Sequence, residues 1–279
     1  GLPERPVVSA FTATATGEVQ EDIQCVLQLR SPKVLVTGFD RKNLYFEVRS
    51  GGGKDAWLLE YVKEHRGESG IIYCATRKNV EAVYTALRMA DVPASRYHAG
   101  MDAEERRRSQ DQFIFDECPV MVATNAFGMG IDKSNVRYVV HYNMPQSMEN
   151  YYQEAGRAGR DGGRAECVLL YSPQDVRINQ MLLEMKEFRE EMSEEEIRAV
   201  RERDAERLKR MTFYGTSKDC LRGYILNYFG EKAPRRCENC SNCLHEFVEE
   251  DVTEICQDIF QCIREMRWSY GAAAVAGVL

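Results

Sequence analysis

The chain has 279 residues, enough for two domains and part of a third, and its 44% hydrophobic and 29% charged residues are ordinary for a soluble globular protein. No apolar run reaches membrane-spanning length, and the start Gly1-Leu2-Pro3-Glu4-Arg5 does not read as a secretion signal, so the expectation is an intracellular protein without a membrane partner. A net charge of −7 excludes nucleic-acid binding through overall charge; any such contact has to use local basic clusters.

Residues 1–38 read as the tail of a domain that begins upstream. Val7-Val8-Ser9-Ala10-Phe11 is expected as a buried strand, Thr12-Ala13-Thr14-Ala15-Thr16 as loop or cap material, and a helix runs to about Leu29. Ser50-Gly51-Gly52-Gly53-Lys54 is a flexible turn before a helix. It fails as a phosphate loop, because G-x-x-x-x-G-K-[ST] needs glycine where Val48 stands and a hydroxyl where Asp55 stands.

From Lys54 the pattern alternates. A helix with Trp57, Leu58, Tyr61 and Val62 on one side leads to the apolar strand Gly70–Cys74, and a helix over Lys78–Ala90 follows. Next come a strand near Ser95–Tyr97, a basic helix near Ala103–Phe115, strands Val120–Ala123 and Tyr138–Tyr142, a helix through Tyr151-Tyr152, and strand Cys167–Tyr171. Short apolar strands alternating with helices predict an α/β fold, a parallel sheet covered by helices on both faces. Right-handed crossovers then gather the loops after the strands along one edge. Those loops hold Thr76-Arg77, His98-Ala99-Gly100 and the run Thr124-Asn125 through Asp132; singly, each reads equally well as a helix cap or as a ligand contact. Arg106-Arg107-Arg108, beside Glu104 and Glu105, reads as a solvated helix face. Residues 181–212 contain no glycine or proline and read as one long charged stretch. It is acidic at Glu194-Glu195-Glu196 and basic toward Arg210, a polarity that complements a helix dipole.

Two patterns carry chemistry. Gln153-Glu154-Ala155-Gly156-Arg157-Ala158-Gly159-Arg160-Asp161-Gly162 holds two arginines three positions apart, a spacing that on a helix puts both guanidinium groups on one face. Each is a permanently charged fork matched to phosphate oxygens, and the glycines let a partner surface approach. Cys220 and Cys237-x-x-Cys240-x-x-Cys243 have the ligand type and spacing of a structural zinc site; a compact iron–sulfur site is the alternative. Four thiolates close a tetrahedron, so the ion is a scaffold and His245 stays outside the set. The other six cysteines, Cys25 among them, read as small reduced core residues.

The arginine run resembles the form Q-E-x-G-R-A-G-R-D-G found in the RecQ family of helicases. The resemblance extends through Ala10–Thr16, Phe39-Asp40-Arg41-Lys42-Asn43-Leu44, Tyr73–Arg77, Tyr97–Met101, the Ala123–Lys133 run and the cysteine cluster with Leu226–Glu231, and covers nearly the whole chain. It implies the end of a first RecA-like lobe over 1–38, a second RecA-like lobe over 39–180, a helical zinc-binding domain over 181–248 and the start of a winged-helix domain over 249–279. It further implies an ATP-dependent DNA helicase moving 3′ to 5′, with ATP and Mg2+ held by a first lobe that this chain mostly lacks. Arg157 or Arg160 is then the arginine finger, with Gln153 at the nucleotide. Thr76, Arg77, His98, Thr124 and Asn125 then lie near single-stranded or partly duplex DNA, and Asp132 orients loops between the lobes. Such a protein is expected in the cytoplasm with the nucleoid if bacterial and in the nucleus if eukaryotic. A DEAD-box RNA helicase lobe shares the arginine motif but not the cysteines. With no phosphate loop or D-E-x-H box, the chain by itself is expected to be a non-catalytic, zinc-stabilised DNA-binding module.

Overall fold

The computed structural model describes residues 5–12, 14–128, 131–188, 192–245, 251–266, 271 and 275–277. Strand β2 (Ser69–Tyr73) is buried at every position, as a central strand covered on both faces must be. Around it lie β1 (Leu44–Ser50), β3 (Ala94–Tyr97), β4 (Val120–Ala123), β5 (Val136–His141) and β6 (Ala165–Tyr171), in the order β1-β6-β5-β2-β4-β3. Every pairing is parallel. The protein therefore has the expected RecA-like α/β sheet, with one strand added. Leu44–Ser50, a segment to which the sequence reading assigns no element, forms the edge strand β1.

Strand alternation sorts the core into two layers. Ile72, Val122, Tyr138, Val140 and Val168 pack with Leu58 and Val62 of α2 (Lys54–Glu64) and with Val80, Val83 and Leu87 of α3 (Arg77–Met89). Ile71, Tyr73, Met121, Val139, Cys167 and Leu169 face the other way. They join Phe113 of α4 (Ala103–Ile114), Tyr151 of α5 (Met148–Ala155), Leu208 and Tyr214 of α7 (Glu194–Thr216), and Ile225 of α8 (Leu221–Tyr228). The helix starts are chemically marked. Thr76, Asp102 and Ser147 accept the backbone N–H of Asn79, Glu105 and Asn150 at 3.1, 2.7 and 3.2 Å, and Ser193 with Glu196 closes a capping box on α7.

Three expectations change. Val7–Phe11 is not a strand; Val7 is 98% and Phe11 94% exposed, and among the described residues no strand pairs with them. The charged stretch after residue 180 is two helices: α6 (Pro173–Glu184) runs across that position, and α7 begins at the capping box. Cys25 is exposed near the end of α1 (Gly17–Val26) rather than in a core. Ala13 of the Thr-Ala run, Met129 and Gly130 lie outside the described residues. Residues 1–244 form one unit and 245–279 a second. In the second, α10 (Thr253–Glu265) carries the expected stripe Ile255, Ile259 and Ile263, while most of the apolar end from Ala272 lies outside the described residues. No described helix is long and apolar enough to cross a membrane.

The sheet centre tolerates no added atom at Gly70, where a Cβ would meet the ring of Tyr138 at 1.9 Å, and that ring is fully buried. Overpacking of this kind costs about 1–3 kcal/mol. Gly70→Ala is expected to lower the denaturation midpoint accordingly in urea titrations, with the urea dependence unchanged.

Candidate functional site

Helix α5 stops at Ala155, and residues 156–163 carry the chain through turns toward β6. The two arginines therefore do not share a helical face. Gly159 at φ +54° and Gly162 at φ +82° adopt the left-handed backbone that favours glycine, which ends any helical continuation. Gly159 N–H bonds to Val136 O at 2.8 Å and Asp161 N–H to Ser134 O at 3.2 Å, so the turn sits at the amino ends of β5 and β6. The loops after β2, β3 and β4 lie at the opposite, carboxyl edge. Both arginine side chains nonetheless reach back from the turn to the loop that follows β4, at Gly128 O and Ile131 O.

The two guanidinium groups have different surroundings. Arg157 is buried, and its Nη1 donates to Gly128 O at 2.5 Å. A Cβ on Gly128 would come within 2.2 Å of the Arg157 guanidinium carbon, so glycine is required for this approach. The Tyr73 hydroxyl lies close by and donates to Phe127 O at 3.2 Å; burial raises its pKa despite the neighbouring Arg157 charge, and it stays protonated. Arg160 is exposed. Its Nη1 donates to Ile131 O at 3.1 Å and lies 3.7 Å from Asp132 Oδ1, on a carboxylate side chain 95% exposed. Exposed pairs of this kind contribute about 0–1 kcal/mol, so little holds the Arg160 fork in place against a stronger anion. Gln153 is exposed on the last turn of α5.

At the carboxyl edge, Arg77 and Asn125 are exposed. Arg77 makes no hydrogen bond or ion pair among the described residues, and its side chain lies against Gly100, 3.1 Å from where a Cβ would be. The other expected contacts are already engaged. Thr76 caps α3. His98 is buried; its Nδ1 accepts the N–H of Gly100 at 3.1 Å, which leaves Nε2 to donate to Glu81 at 2.7 Å. Thr124 is buried. Asn143, after β5, accepts from Ala75 N–H at 3.1 Å and from Asn79 at 2.8 Å, and donates to Asp175 at 2.9 Å, so it fixes the loop that presents Arg77. Lys54 pairs with Asp175 at 2.8 Å, which agrees with reading the triglycine as a turn and not a phosphate cradle. Beside Asn125 and Asn143 opens a cleft of about 90 Å³, also lined by Tyr73, His141, Asn150 and Glu154.

The sulfur atoms of Cys220, Cys237, Cys240 and Cys243 all lie within 4.8 Å of one another, and all four are free thiols. Tetrahedral zinc–sulfur bonds of about 2.3 Å would set sulfurs about 3.8 Å apart; Cys237 and Cys243 are 3.9 Å apart. Backbone N–H groups aim at the sulfurs, from Gly223 to Cys220 at 3.3 Å, from Cys237 to Cys243 at 3.4 Å and from Asn239 to Cys237 at 3.4 Å. They stabilise negative sulfur. Burial pushes the Cys220 thiol up to about 12; at Cys243 burial also raises the value, but the Cys237 N–H and neighbouring thiols outweigh it and bring it down to about 7. The donor set and its spacing fit one tetrahedral metal ion. His245 is not part of the cluster.

The sequence comparisons agree with both constellations. The helicase conserved C-terminal domain family matches residues 53–162, and the RecQ zinc-binding family matches residues 173–244. The ATP-dependent DNA helicase RecQ of Bacillus subtilis (strain 168) is 46% identical over 278 residues, covering 100% of this chain and 46% of that protein. The ATP-dependent DNA helicase RecQ of Pasteurella multocida (strain Pm70) is 39% identical over 279 residues, covering 100% of this chain and 42% of that protein. The chain belongs to the RecQ family of helicases. It spans less than half the length of these curated relatives. The fold alone is also that of S. cerevisiae Dbp5 bound to RNA and ADP BeF3, with a TM-score of 0.50 and 21% identity over 71% of this chain and 54% of that one.

In this RecQ-family chain the cysteine cluster caps the free side of edge strand β1. Cys240 forms a bridge with Phe46, Ser241 of α9 (Ser241–Leu244) accepts the Val48 N–H at 3.5 Å, and Asn239 donates to Lys42 O and Leu44 O at 3.1 Å each. Arg222, two residues after the ligand Cys220, is buried and donates to Asp40 Oδ1 at 2.9 Å, Arg41 O at 2.7 Å and Leu44 O. Sequence reading passes over Arg222, because nothing local marks an arginine whose partners lie about 180 residues away.

Cys240→Ser is expected to abolish the bound metal in elemental analysis of the purified chain, and to expose residues 217–244 together with β1 in hydrogen exchange. Cys25→Ser, at an exposed cysteine outside the cluster, is expected to change neither.

Proposed function

We propose that this chain is the second RecA-like lobe and zinc-stabilised shoulder of an ATP-dependent 3′–5′ DNA helicase of RecQ type, and that Arg160 is its arginine finger. The contrast between an exposed Arg160 fork and a buried Arg157 carries this reading. Both side chains donate to carbonyls of the loop after β4, Arg157 to Gly128 O and Arg160 to Ile131 O. Arg157 braces the segment from within, with its Nη1 on Gly128 O. Arg160 reaches it at the surface, where a phosphate supplied by another lobe can replace the weak Asp132 pair. ATP and Mg2+ are held by that other lobe, and Arg160 stabilises the charge that grows on the transferring phosphoryl oxygens. We assign Gln153, exposed on the last turn of α5, to the nucleotide as well.

Arg77 and Asn125 supply the strand contacts at the carboxyl edge of the sheet, while Thr76, His98 and Thr124 shape the loops that present them. Contacts of this kind hold the backbone of a single strand without reading sequence. Zinc supplies a rigid scaffold through four thiolates, with no open position for catalysis. The cysteine cluster separates this reading from a DEAD-box RNA helicase lobe. Alone, the chain binds DNA and turns over no ATP.

In the full-length helicase, Arg160→Ala is expected to lower DNA-stimulated ATP turnover by about three to five powers of ten while ATP binding persists. Arg157→Ala is expected to lower stability in thermal melts as well as turnover, because it removes the buried charged donor to Gly128 O and leaves that carbonyl only the longer bond from the Ile131 N–H at 3.3 Å. Parental turnover with Arg160→Ala, measured by phosphate release, overturns the assignment. Robust DNA-stimulated turnover by the purified chain alone overturns the division of labour.

A further inference from the structure

The arginine turn is held from outside by the segment that leads into β1. Arg41 Nη1 donates to Gly156 O at 3.2 Å, and its Nη2 to Ala158 O at 2.9 Å and Gly159 O at 2.7 Å. Asn43 Nδ2 donates to the same Gly159 O at 2.8 Å and to Gly163 O at 2.8 Å. The carbonyl immediately before Arg160 thus accepts from two side chains, while the N–H of Gly159 is taken by Val136 O. The site leaves no slack: a Cβ on Gly159 would stand 2.5 Å from Asn43 Nδ2. The holding segment is itself fixed from the far side. Arg222 of α8 bonds Asp40 Oδ1 and Arg41 O, and Glu231 accepts the Phe39 N–H at 2.6 Å.

We propose that Arg41 and Asn43, backed by Arg222, set where the Arg160 guanidinium stands and are positioning residues for ATP turnover, although neither touches the nucleotide. The inference rests on Arg160 being the finger. Its physical content is geometric. An exposed arginine whose own side-chain contacts are weak takes its position from its backbone, and here that backbone is fixed by hydrogen bonds from elements distant in sequence. A charged fork spanning three carbonyls holds them in one arrangement; a lysine ammonium, a point charge on a flexible stem, does not. The clamp also links the metal-bearing shoulder to the nucleotide face, since Arg222 lies on the helix that the ligand Cys220 caps.

The test compares Arg41→Ala, Arg160→Ala and the double variant in the full-length helicase, reading kcat and KM for ATP, DNA affinity and metal content. Displacing a catalytic group by about 1 Å costs on the order of 100-fold in rate, so Arg41→Ala is expected to lower kcat by about that factor. KM, DNA affinity and bound metal are expected to stay at parental values, a split that general destabilisation would not produce. The double variant is expected to be no slower than Arg160→Ala alone, because the two changes disable one group. Where Arg41→Ala does not fold, Arg41→Lys is read instead, with the same kcat-selective loss expected. Parental kcat in the Arg41 variant, or losses that multiply in the double variant, overturns the inference. Parental kcat in Arg160→Ala overturns the finger assignment itself, and is a separate result from the first.

Discussion

The structure depends on hydrogen bonds that long-range side chains make to a turn with no regular secondary structure of its own. Residues 156–163 are neither helix nor strand, and their carbonyls need partners. Arg41 and Asn43 supply them. Those two residues sit in a short entry to β1 that would itself be loose without Arg222 and Glu231 on its other side. The buried guanidinium of Arg222 is stable because Asp40 and backbone carbonyls engage it; a buried charge left alone would cost several kcal/mol.

This arrangement explains why a metal-bearing shoulder and a phosphate-ready arginine belong to one folding unit. The four-thiolate cluster closes the exposed edge of β1 through the Cys240–Phe46 bridge, which removes an edge open to aberrant pairing. It also fixes the start of α8, from which Arg222 reaches the β1 entry. The sheet then separates two tasks. Its carboxyl edge presents Arg77 and Asn125, and its amino edge presents the arginine turn. Arg157, engaged by Gly128 O inside the lobe, joins the turn to the segment leaving β4.

Much of this was legible in the sequence, and for physical reasons. Continuous apolar runs such as Gly-Ile-Ile-Tyr at 70–73 have few solutions other than a buried parallel strand, and the cysteine spacing has few solutions other than a metal. Failures came where partners are remote. Val7–Phe11 has strand-forming residues but no neighbouring strand among those described. Leu44–Ser50 is buried only at its start, at Leu44 and Phe46, and its free side is closed by residues about 195 positions away. The arginine spacing suggested a helix face, yet the left-handed conformation of Gly159 decides otherwise. Local partners are a separate matter: His98 bonds Glu81 and Thr76 accepts the Asn79 N–H, which fixes the loops beside Arg77. Which arginine stands free is a matter of burial, and the Arg-x-x-Arg spacing does not encode it.

The account turns on one arginine being available and the other not. A structure of the full-length helicase bound to DNA, ADP and a metal fluoride that mimics the transferring phosphoryl group tests this most directly. The account predicts the Arg160 guanidinium on the fluoride atoms, Arg157 still bonded to Gly128 O, and the Arg41 fork still on the turn. A structure in which Arg157 leaves the interior to reach the fluoride, or in which neither guanidinium approaches it, would contradict the account.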